Sequence, residues 1–473
     1  MDEFVDSAGK TPLPPHTVSP DDIVALIYSS GTTGNPKGAM LSHSNILHSA
    51  TGLVERLPRG EVPFQDCLIA FLPLAHVFEF ALESTMFALG ARIGYFTGDI
   101  LRLLDDIKVL QPTFFVGVPR VFSKIVDKIN SQVNQSAIKS ALFSRALNVK
   151  LSALSRSRGT SFGVKLYDAL VFKKVAAMFG GKIRAMYSGS AKLDPDVAAY
   201  IVCVLKAPLA EGYGATETSA SGCVDMLPDL TGECNIREHY GTVGWPSGAM
   251  QVKLVDVPEM DYYMPKGEIL MKGPAVFQGY WNLPEKNKEV FTKDGWYKTG
   301  DIGMIDEQGR LSIIDRISSI KKTIQGEYCN LSLIESDLES SPMVDQVNCI
   351  CGRTTKLLAL VIPAATEMDR LKAALEKGEQ SVLDEYAEGI VKSFKQISKE
   401  RGHRAFEHVS NVHLCLDSWT TENGLMTSTM KKKRAIIENR YAEEIDGLVS
   451  ALSTSVEGIS CMSSCSCFTV KKV

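Results

Sequence analysis

Residues 28–38 read YSSGTTGNPKG, and the seven residues before the first serine, 22–28, read DIVALIY. The apolar run has the composition of a short strand that breaks into a turn. The turn gathers glycines, hydroxyls and a single lysine, Lys37. A loop of this kind offers backbone N–H groups and hydroxyls to phosphate oxygens, and Lys37 adds positive charge. It is not the Walker arrangement, which ends in Gly-Lys-Ser/Thr, because Lys37 is followed by Gly38. A generic Gly/Ser loop is usually an ordinary flexible turn; the particularity of this string favours phosphate.

Outward from the loop, strand-like and helix-like segments alternate. Residues 68–72 read as a buried strand and 77–89 as a helix. Leu101, Leu104, Ile107 and Leu110 recur at helical spacing, 113–118 (TFFVGV) read as a strand, and Pro119 opens a helix carrying Val121, Phe122, Ile125, Val126 and Ile129. Another strand at 183–187 runs into Ser188-Gly189-Ser190. This alternation predicts an α/β domain with a mainly parallel sheet. From 241 to 301 short strands and turns predict a smaller β subdomain. After Arg316 come strand-like 347–351 and 357–362, then a charged helical stretch over 368–400. The expected organisation is an N-terminal extension (1–20), a large domain (21–315), a hinge (316–319), a small C-terminal domain (320–452) and a disordered Ser/Cys tail (453–473).

The chain has 473 residues, 45% hydrophobic and 22% charged, which excludes a wholly disordered or fibrous protein. Its formal net charge is −4, so no global basic excess points to nucleic acid. Eleven cysteines without paired spacing suggest reduced thiols inside a cell, with Cys461, Cys465 and Cys467 bunched near the end. Asp2, Glu3 and Asp6 stand where a secretory leader needs positive charge. The most membrane-like stretch, 67–96, is interrupted by Pro73, His76, Glu79, Glu83 and Arg92, so no spanning helix is expected. Between Lys139 and Arg184 there are ten basic residues and one acid, Asp168; the segment carries +9 and the remainder of the chain −13. Two readings stay open for it, a solvated helical face or a patch that meets anionic lipid headgroups.

YSSGTTGNPKG closely resembles the phosphate-binding signature of the adenylate-forming (ANL) superfamily. Further segments follow in the expected order: LPLAH at 72–76, YGATET at 213–218, YKTGD at 297–301, Asp315-Arg316, QGEY at 325–328 and MTSTMK at 426–431. The forms LPLAHVFE, QPTFFVGVPRVF, IQGEY and MTSTMKKKR look most like eukaryotic long-chain acyl-CoA synthetases. The resemblance runs from about Asp21 to Tyr441.

The resemblance implies the ANL fold, a large α/β domain with a β subdomain followed by a small mobile α+β domain. It also implies ATP-dependent activation of a long-chain fatty acid to acyl-CoA through an acyl-adenylate, with ATP, Mg²⁺ and coenzyme A. Ser29, Ser30, Gly31, Thr32, Thr33, Gly34 and Lys37 would hold the β- and γ-phosphates, Thr216 a phosphate oxygen, and Glu217 the metal. Asp301 and Arg316 would bind the ribose. Glu211, Gly212, Tyr213 and Gly214 would approach the adenine from one side, with Tyr213 stacking on it, and Ser188, Gly189, Ser190 and Ala191 from the other. Lys431 resembles the mobile lysine that bridges carboxylate and α-phosphate, although its spacing alone would read as a solvated basic run. His76 lies where the family has a residue near the acyl group, and Gly326 would serve the thiol channel after a swing about the hinge.

Several departures stand out. The hinge segment 315–322 reads DRISSIKK, with Ser318 where the family usually has Lys or Asp. The adenine loop has Gly189-Ser190-Ala191-Lys192 for a common Gly-Gly-Ala-Pro, and Asn330-Leu331-Ser332 replaces Ser-Leu-Gly. Complete members carry a large block ahead of the phosphate loop, which begins here after 28 residues, so the large domain is expected to be incomplete in front. Alternatives of the same fold are a catalytically silent nucleotide- or acyl-binding scaffold and an acyl-carrier-protein ligase. A long-chain product also implies an intracellular protein held peripherally on a cytosol-facing membrane such as the endoplasmic reticulum, with no nucleic-acid partner.

Overall fold

The computed structural model describes residues 17–29, 36–56, 66–156, 161–230, 235–427 and 431–457. Cys67–Ala70, Phe114–Gly117 and Ala185–Ser188 are buried at every position. Such unbroken apolar runs belong to parallel strands covered on both faces. Together with Arg92–Tyr95 and Leu209–Tyr213 they make the parallel part of a seven-stranded sheet, closed at one edge by the short antiparallel strands Cys223–Val224 and Trp245–Pro246. Alternate residues feed opposite faces. Phe115 and Met186 join Ile107, Phe122, Phe172 and Val202 on one side, while Phe114, Val116 and Ala185 join Leu68, Leu82 and Met86 on the other.

The first strand departs from the expected alternation. Ile23–Ser29 does not enter the parallel sheet but pairs antiparallel with Lys37–Ser42, with Ser29 opposite Lys37 and Tyr28 opposite Gly38. A short connection brings the chain straight back as a hairpin, whereas a parallel partner needs a long crossover. The described ends of the phosphate-loop sequence, Tyr28 and Ser29 on one side and Lys37 and Gly38 on the other, are thus paired across this ladder.

A four-stranded antiparallel sheet follows, in the order Gln251–Val255, Lys266–Lys272, Tyr297–Ile305 and Leu311–Arg316. After Arg316 the small hairpin Ile320–Lys322/Tyr328–Asn330 leads to a three-stranded sheet with Leu357–Pro363 between Val344–Ile350 and Val409–Leu414. The expected single helical stretch over 368–400 is two helices, Ala365–Lys377 and Gln380–Glu400. Gly378 separates them at φ +72, a left-handed C-terminal stop that a glycine adopts without a Cβ clash. The last helix, Ala442–Glu457, runs past Ser453, where the sequence suggested that a disordered tail begins. Cys461, Cys465 and Cys467 lie outside the described residues. Among the described residues no helix is long and apolar enough to cross a membrane, and every described cysteine is a free thiol.

Candidate active site

A cleft of about 2560 Å³ opens where the C-terminal ends of the central strands face the β subdomain and the Lys431 segment. Open α/β sheets place ligands at this end of their strands. Ser188, Gly189, Ser190 and Ala191 leave one strand here, and Glu211, Gly212, Tyr213 and Gly214 leave its neighbour. Two glycines are dictated by space. A Cβ on Gly189 would stand 2.9 Å from the Phe78 ring, and one on Gly214 would stand 2.2 Å from the carbonyl oxygen of Ala220.

Asp301 and Arg316 are cross-strand partners in the antiparallel sheet, so the ladder itself sets them side by side. Arg316 Nε lies 3.1 Å from Asp301 Oδ1, and the Tyr213 hydroxyl donates to Asp301 Oδ2 at 2.5 Å. The Asp301 charge is the main reason that the Arg316 guanidinium is held even more firmly protonated than usual. Lys431 reaches the same cleft from the C-terminal part of the chain. Its amide donates to Thr427 Oγ1 at 3.0 Å, the Thr427 amide returns a bond to its carbonyl at 2.8 Å, and Met426 bridges to Lys432. Burial, then the charge of Arg316, brings the Lys431 ammonium down to about 8, against the pull of Asp301.

His76 caps the helix Val77–Ala88, its Nδ1 accepting the Phe78 amide at 3.2 Å. That bond assigns the ring proton to Nε2 in the neutral form. Burial, followed by the nearby Lys431 charge, lowers its pKa to about 4, so the imidazole is neutral at physiological pH.

On the phosphate side, Glu217 sits buried in the 3-10 turn Thr216–Thr218, and Tyr280 donates its hydroxyl to Glu217 Oε1 at 2.6 Å. Lys37 Nζ lies 5.6 Å from the centre of the Tyr280 ring, within cation–π range. Ser29 Oγ is 3.5 Å from the Lys37 carbonyl oxygen. Ser30, Gly31, Thr32, Thr33 and Gly34 lie outside the described residues. Among the described residues no three His, Cys, Asp or Glu side chains gather to hold a metal by themselves. One buried carboxylate oxygen pinned by a hydroxyl suits instead a magnesium ion carried mainly by nucleotide phosphates.

Glu211 lines the cleft but is engaged inward, accepting the amides of Leu193 at 3.1 Å and Gly241 at 3.4 Å. Burial raises its carboxyl to about 7 despite those two bonds. Gly326, at φ +94, occupies a turn away from the cleft lining. Ser318 and Ser319 do line it. Asn330, one of the departures, acts locally. Its side chain caps the helix Leu331–Leu338 through the Leu333 amide at 2.8 Å and donates to the Ile314 carbonyl at 3.0 Å.

Sequence reasoning missed Tyr280, whose only signal was an aromatic after Gly279. It also missed Glu335, which receives Lys432 Nζ at 2.9 Å and Arg434 at 2.7 Å. A third omission is the apolar arm of the cleft, lined by Phe78, Leu82, Met86, Phe114, Val116 and Val224. Phe78, Leu82 and Met86 share one helix and Phe114 and Val116 one strand, but only the fold brings these two faces and Val224 together.

A profile of the family described as AMP-binding enzyme matches residues 2–281. The chain is 37% identical over 463 residues to fatty acyl-CoA synthetase A of Dictyostelium discoideum, spanning 95% of this chain and 67% of that protein. It is 38% identical over 463 residues to long-chain-fatty-acid–CoA ligase 1 of Homo sapiens, spanning 96% of this chain and 64% of that one. The chain thus covers about two thirds or slightly less of the length of these relatives. Among solved structures, it is similar to the A domain of a carboxylic acid reductase from Segniliparus rugosus in complex with AMP and a co-purified carboxylic acid. The TM-score is 0.70 at 25% identity, over 95% of this chain and 66% of that one. The adenylation domain of a carboxylate reductase from Mycobacterium chelonae, at 24% identity, TM-score 0.70 and coverage of 92% and 61%, supports the fold alone.

Proposed function

The chain belongs to the AMP-binding enzyme family and has the adenylate-forming fold, and from this we propose that it joins long-chain fatty acids to coenzyme A at the expense of ATP. A carboxylate is a poor electrophile, so its oxygen first attacks the α-phosphate. The bond to the β-phosphate breaks, and pyrophosphate leaves an acyl-adenylate behind. The coenzyme A thiolate then attacks the acyl carbon and AMP departs with the electron pair of the acyl–oxygen bond.

The observation that carries this reading is the corner where Lys431, Arg316 and Asp301 meet. Two cations share one carboxylate there, and burial, then the other cation, already pushes the lysine toward its neutral form. Such a corner lacks negative charge and gains most when a phosphate and a carboxylate arrive together. Lys431 would bridge these two anions as charge develops. Lys37, Ser29 and the loop residues Ser30, Gly31, Thr32, Thr33 and Gly34 would hold the outer phosphates, with Thr216 on a phosphate oxygen. Glu217 would hold Mg²⁺, which supplies charge neutralisation to the phosphates. A carboxylate has about four lone-pair sites, so Asp301 keeps acceptors for the ribose hydroxyls beside its hydrogen bond from Tyr213 and its ion pair with Arg316. The adenine would lie between Tyr213 and the Ser188–Ala191 turn, beside Glu211, Gly212 and Gly214.

His76, neutral and with its proton on Nε2, would donate to the acyl carboxylate without adding charge. The apolar arm behind Phe78 would take the hydrocarbon chain, which is the support for a long-chain acid. The thioester step requires the turn at Gly326 to reach the site by rotation about residues 316–319, a lid movement. A long-chain acyl product that partitions into lipid is the support for a peripheral position on a cytosol-facing membrane such as the endoplasmic reticulum.

Fatty-acid-dependent ATP–pyrophosphate exchange on the purified chain tests the first step, with Lys431→Ala as control. Exchange that requires a long-chain acid and disappears in the control is the expected result. Absence of exchange from folded protein would sink the catalytic reading and leave a silent nucleotide-binding scaffold.

A further inference from the structure

The helices Ala137–Leu154, Phe162–Tyr167 and Lys173–Met178 form an outer layer over the central sheet. Phe143, Ala146, Leu154, Val164, Phe172 and Val175 point inward and enter the core. The outward face is not the polar surface expected of such a layer. Phe162, Leu166 and Leu170 recur four residues apart and are 84%, 44% and 57% exposed. On the adjacent helix Ile138 and Leu142, also four apart, are 82% and 48% exposed. Scattered single apolar residues are normal on a surface, but aligned ones on neighbouring helices make a patch.

The charges on this face are all of one sign. Lys165, Lys173 and Lys174 are exposed beside the Phe162 row, Lys139 and Arg145 are exposed on the adjacent helix, and Arg156 is exposed just beyond its end. The segment's one acid, Asp168, is consumed by Lys150 at 2.5 Å, a pair in which the lysine is only 6% exposed. Arg184 is likewise withdrawn, bound through Nε to Asp66 Oδ1 at 2.7 Å. The internal pairs therefore remove the only negative charge from the layer and leave the other described basic groups facing outward. A shallow groove on this layer is lined by Arg145, Asn148, Ser152, Arg156 and Ser161, all suited to phosphate oxygens.

We propose that this face docks on an anionic phospholipid bilayer. Phe162, Leu166 and Leu170 enter the boundary between headgroups and acyl chains, while Lys165, Lys173, Lys174, Arg145 and Arg156 meet lipid phosphates and carboxylates. The inference gives a specific surface to the peripheral-membrane reading above and rests on it. Charge balance selects the occupant. The remainder of the chain carries −13, so net charge favours turning this face, rather than the rest of the chain, toward an anionic surface. Apolar side chains alternating with lysines on a convex helical face are the composition of an interfacial helix.

Flotation of the full chain with phosphatidylcholine vesicles, with and without phosphatidylserine, tests the proposal. Binding is expected only to the phosphatidylserine vesicles, and it should weaken steeply with salt. Lys165→Gln/Lys173→Gln/Lys174→Gln should lower the partition coefficient by about 100-fold. Phe162→Gln, at a side chain with almost no packing to lose, should lower it by about tenfold. Pyrophosphate exchange on a soluble acid should be unchanged in both variants. Vesicle binding that survives both variants, or no binding to anionic vesicles at all, overturns the docking face. Loss of exchange in the wild type with patch-dependent binding intact would instead overturn the catalytic reading and leave this one standing.

Discussion

Lys431 and Lys432 are adjacent in the chain and occupy opposite electrostatic settings. Lys432 Nζ donates to Glu335 Oε2 at 2.9 Å, to Glu339 Oε1 at 3.0 Å and to the Val347 carbonyl. Arg434 donates to the other Glu335 oxygen at 2.7 Å and to the Cys349 carbonyl at 2.8 Å. The Cys349 and Val347 amides complete the two carboxylates at 2.6 Å and 2.9 Å. Burial alone would lower Lys432, but Glu335 and Glu339 outweigh it and raise its pKa. For Lys431 the balance runs the other way, to about 8. One cluster has spent its charges on internal partners and behaves as an anchor; the other is short of a counter-charge and is suited to receive one. Lys432 also bridges to Met426, so the anchor holds the backbone next to Lys431 and the two settings are coupled through it.

The anchor should carry the largest effect. Glu335→Ala leaves Lys432 and Arg434 poorly compensated in a buried site, a change that costs about 3–5 kcal/mol. Hydrogen exchange at the Cys349 and Val347 amides, which lose or loosen their carboxylate acceptors, should accelerate most. Unchanged protection there would break the distinction between anchor and site. Lys431→Ala should do the reverse. Adenylation is expected to fall about 10²–10³-fold, the scale of removing one transition-state charge partner, with amide protection around Glu335 retained. A Lys431 variant that unfolds the anchor would show that both lysines are structural.

The sequence made these two lysines indistinguishable except by resemblance. Residues 431–434 read KKKR, and spacing alone suggests a solvated basic run. What separates them is a pair of carboxylates on the helix Leu331–Leu338 and the residue just beyond it, which no local pattern links to a distant lysine. The parallel sheet was legible because its strands are unbroken apolar runs ending in Gly and Ser. The strand Ile23–Ser29 was legible as a strand, but its antiparallel pairing was not, because a single strand does not announce its partner's direction. Asp301 and Arg316 could be named from motifs, but their contact depends on register across an antiparallel ladder. In the basic stretch 139–184 the charge count was visible, whereas the removal of Lys150 and Arg184 into internal pairs was not.

Tyr280 lies between the two extremes. Its hydroxyl pins one oxygen of Glu217, a site carboxylate satisfied on one side and available on the other. Tyr280→Phe keeps the ring beneath Lys37 and removes only that donor. A hydrogen bond to a charged group contributes about 1.5–3 kcal/mol, so the KM for Mg-ATP should rise roughly tenfold or somewhat more. The maximal rate of exchange should change much less. An equal fall in maximal rate would mean that Glu217 is oriented for the transition state instead of for holding the metal–nucleotide complex.

The smallest effect is the one set by protons. Lys431 is charged below about 8 and loses its charge as pH rises through that value, whereas Lys432 stays protonated well beyond it. The kcat/KM for ATP in the exchange reaction should therefore decline by about tenfold between pH 7 and pH 9, following the charged fraction of the free enzyme. His76 adds no limb near its ordinary value, because its pKa is already near 4. Bound nucleotide supplies the missing counter-charge and raises the Lys431 pKa, so the limb should move to higher pH when exchange is measured at saturating ATP. A limb at the same pH under both conditions would show that the phosphate does not meet this lysine. Glu335 answers on the other side of the scale. Burial pushes its carboxyl up, but Arg434 and Lys432 hold it below the usual range. Its contribution to stability is complete above the unfolded carboxylate value of about 4.3 and is lost as pH falls through the lower folded value. Raising the pH from 7 to 9 should accordingly weaken the site while leaving this anchor in place.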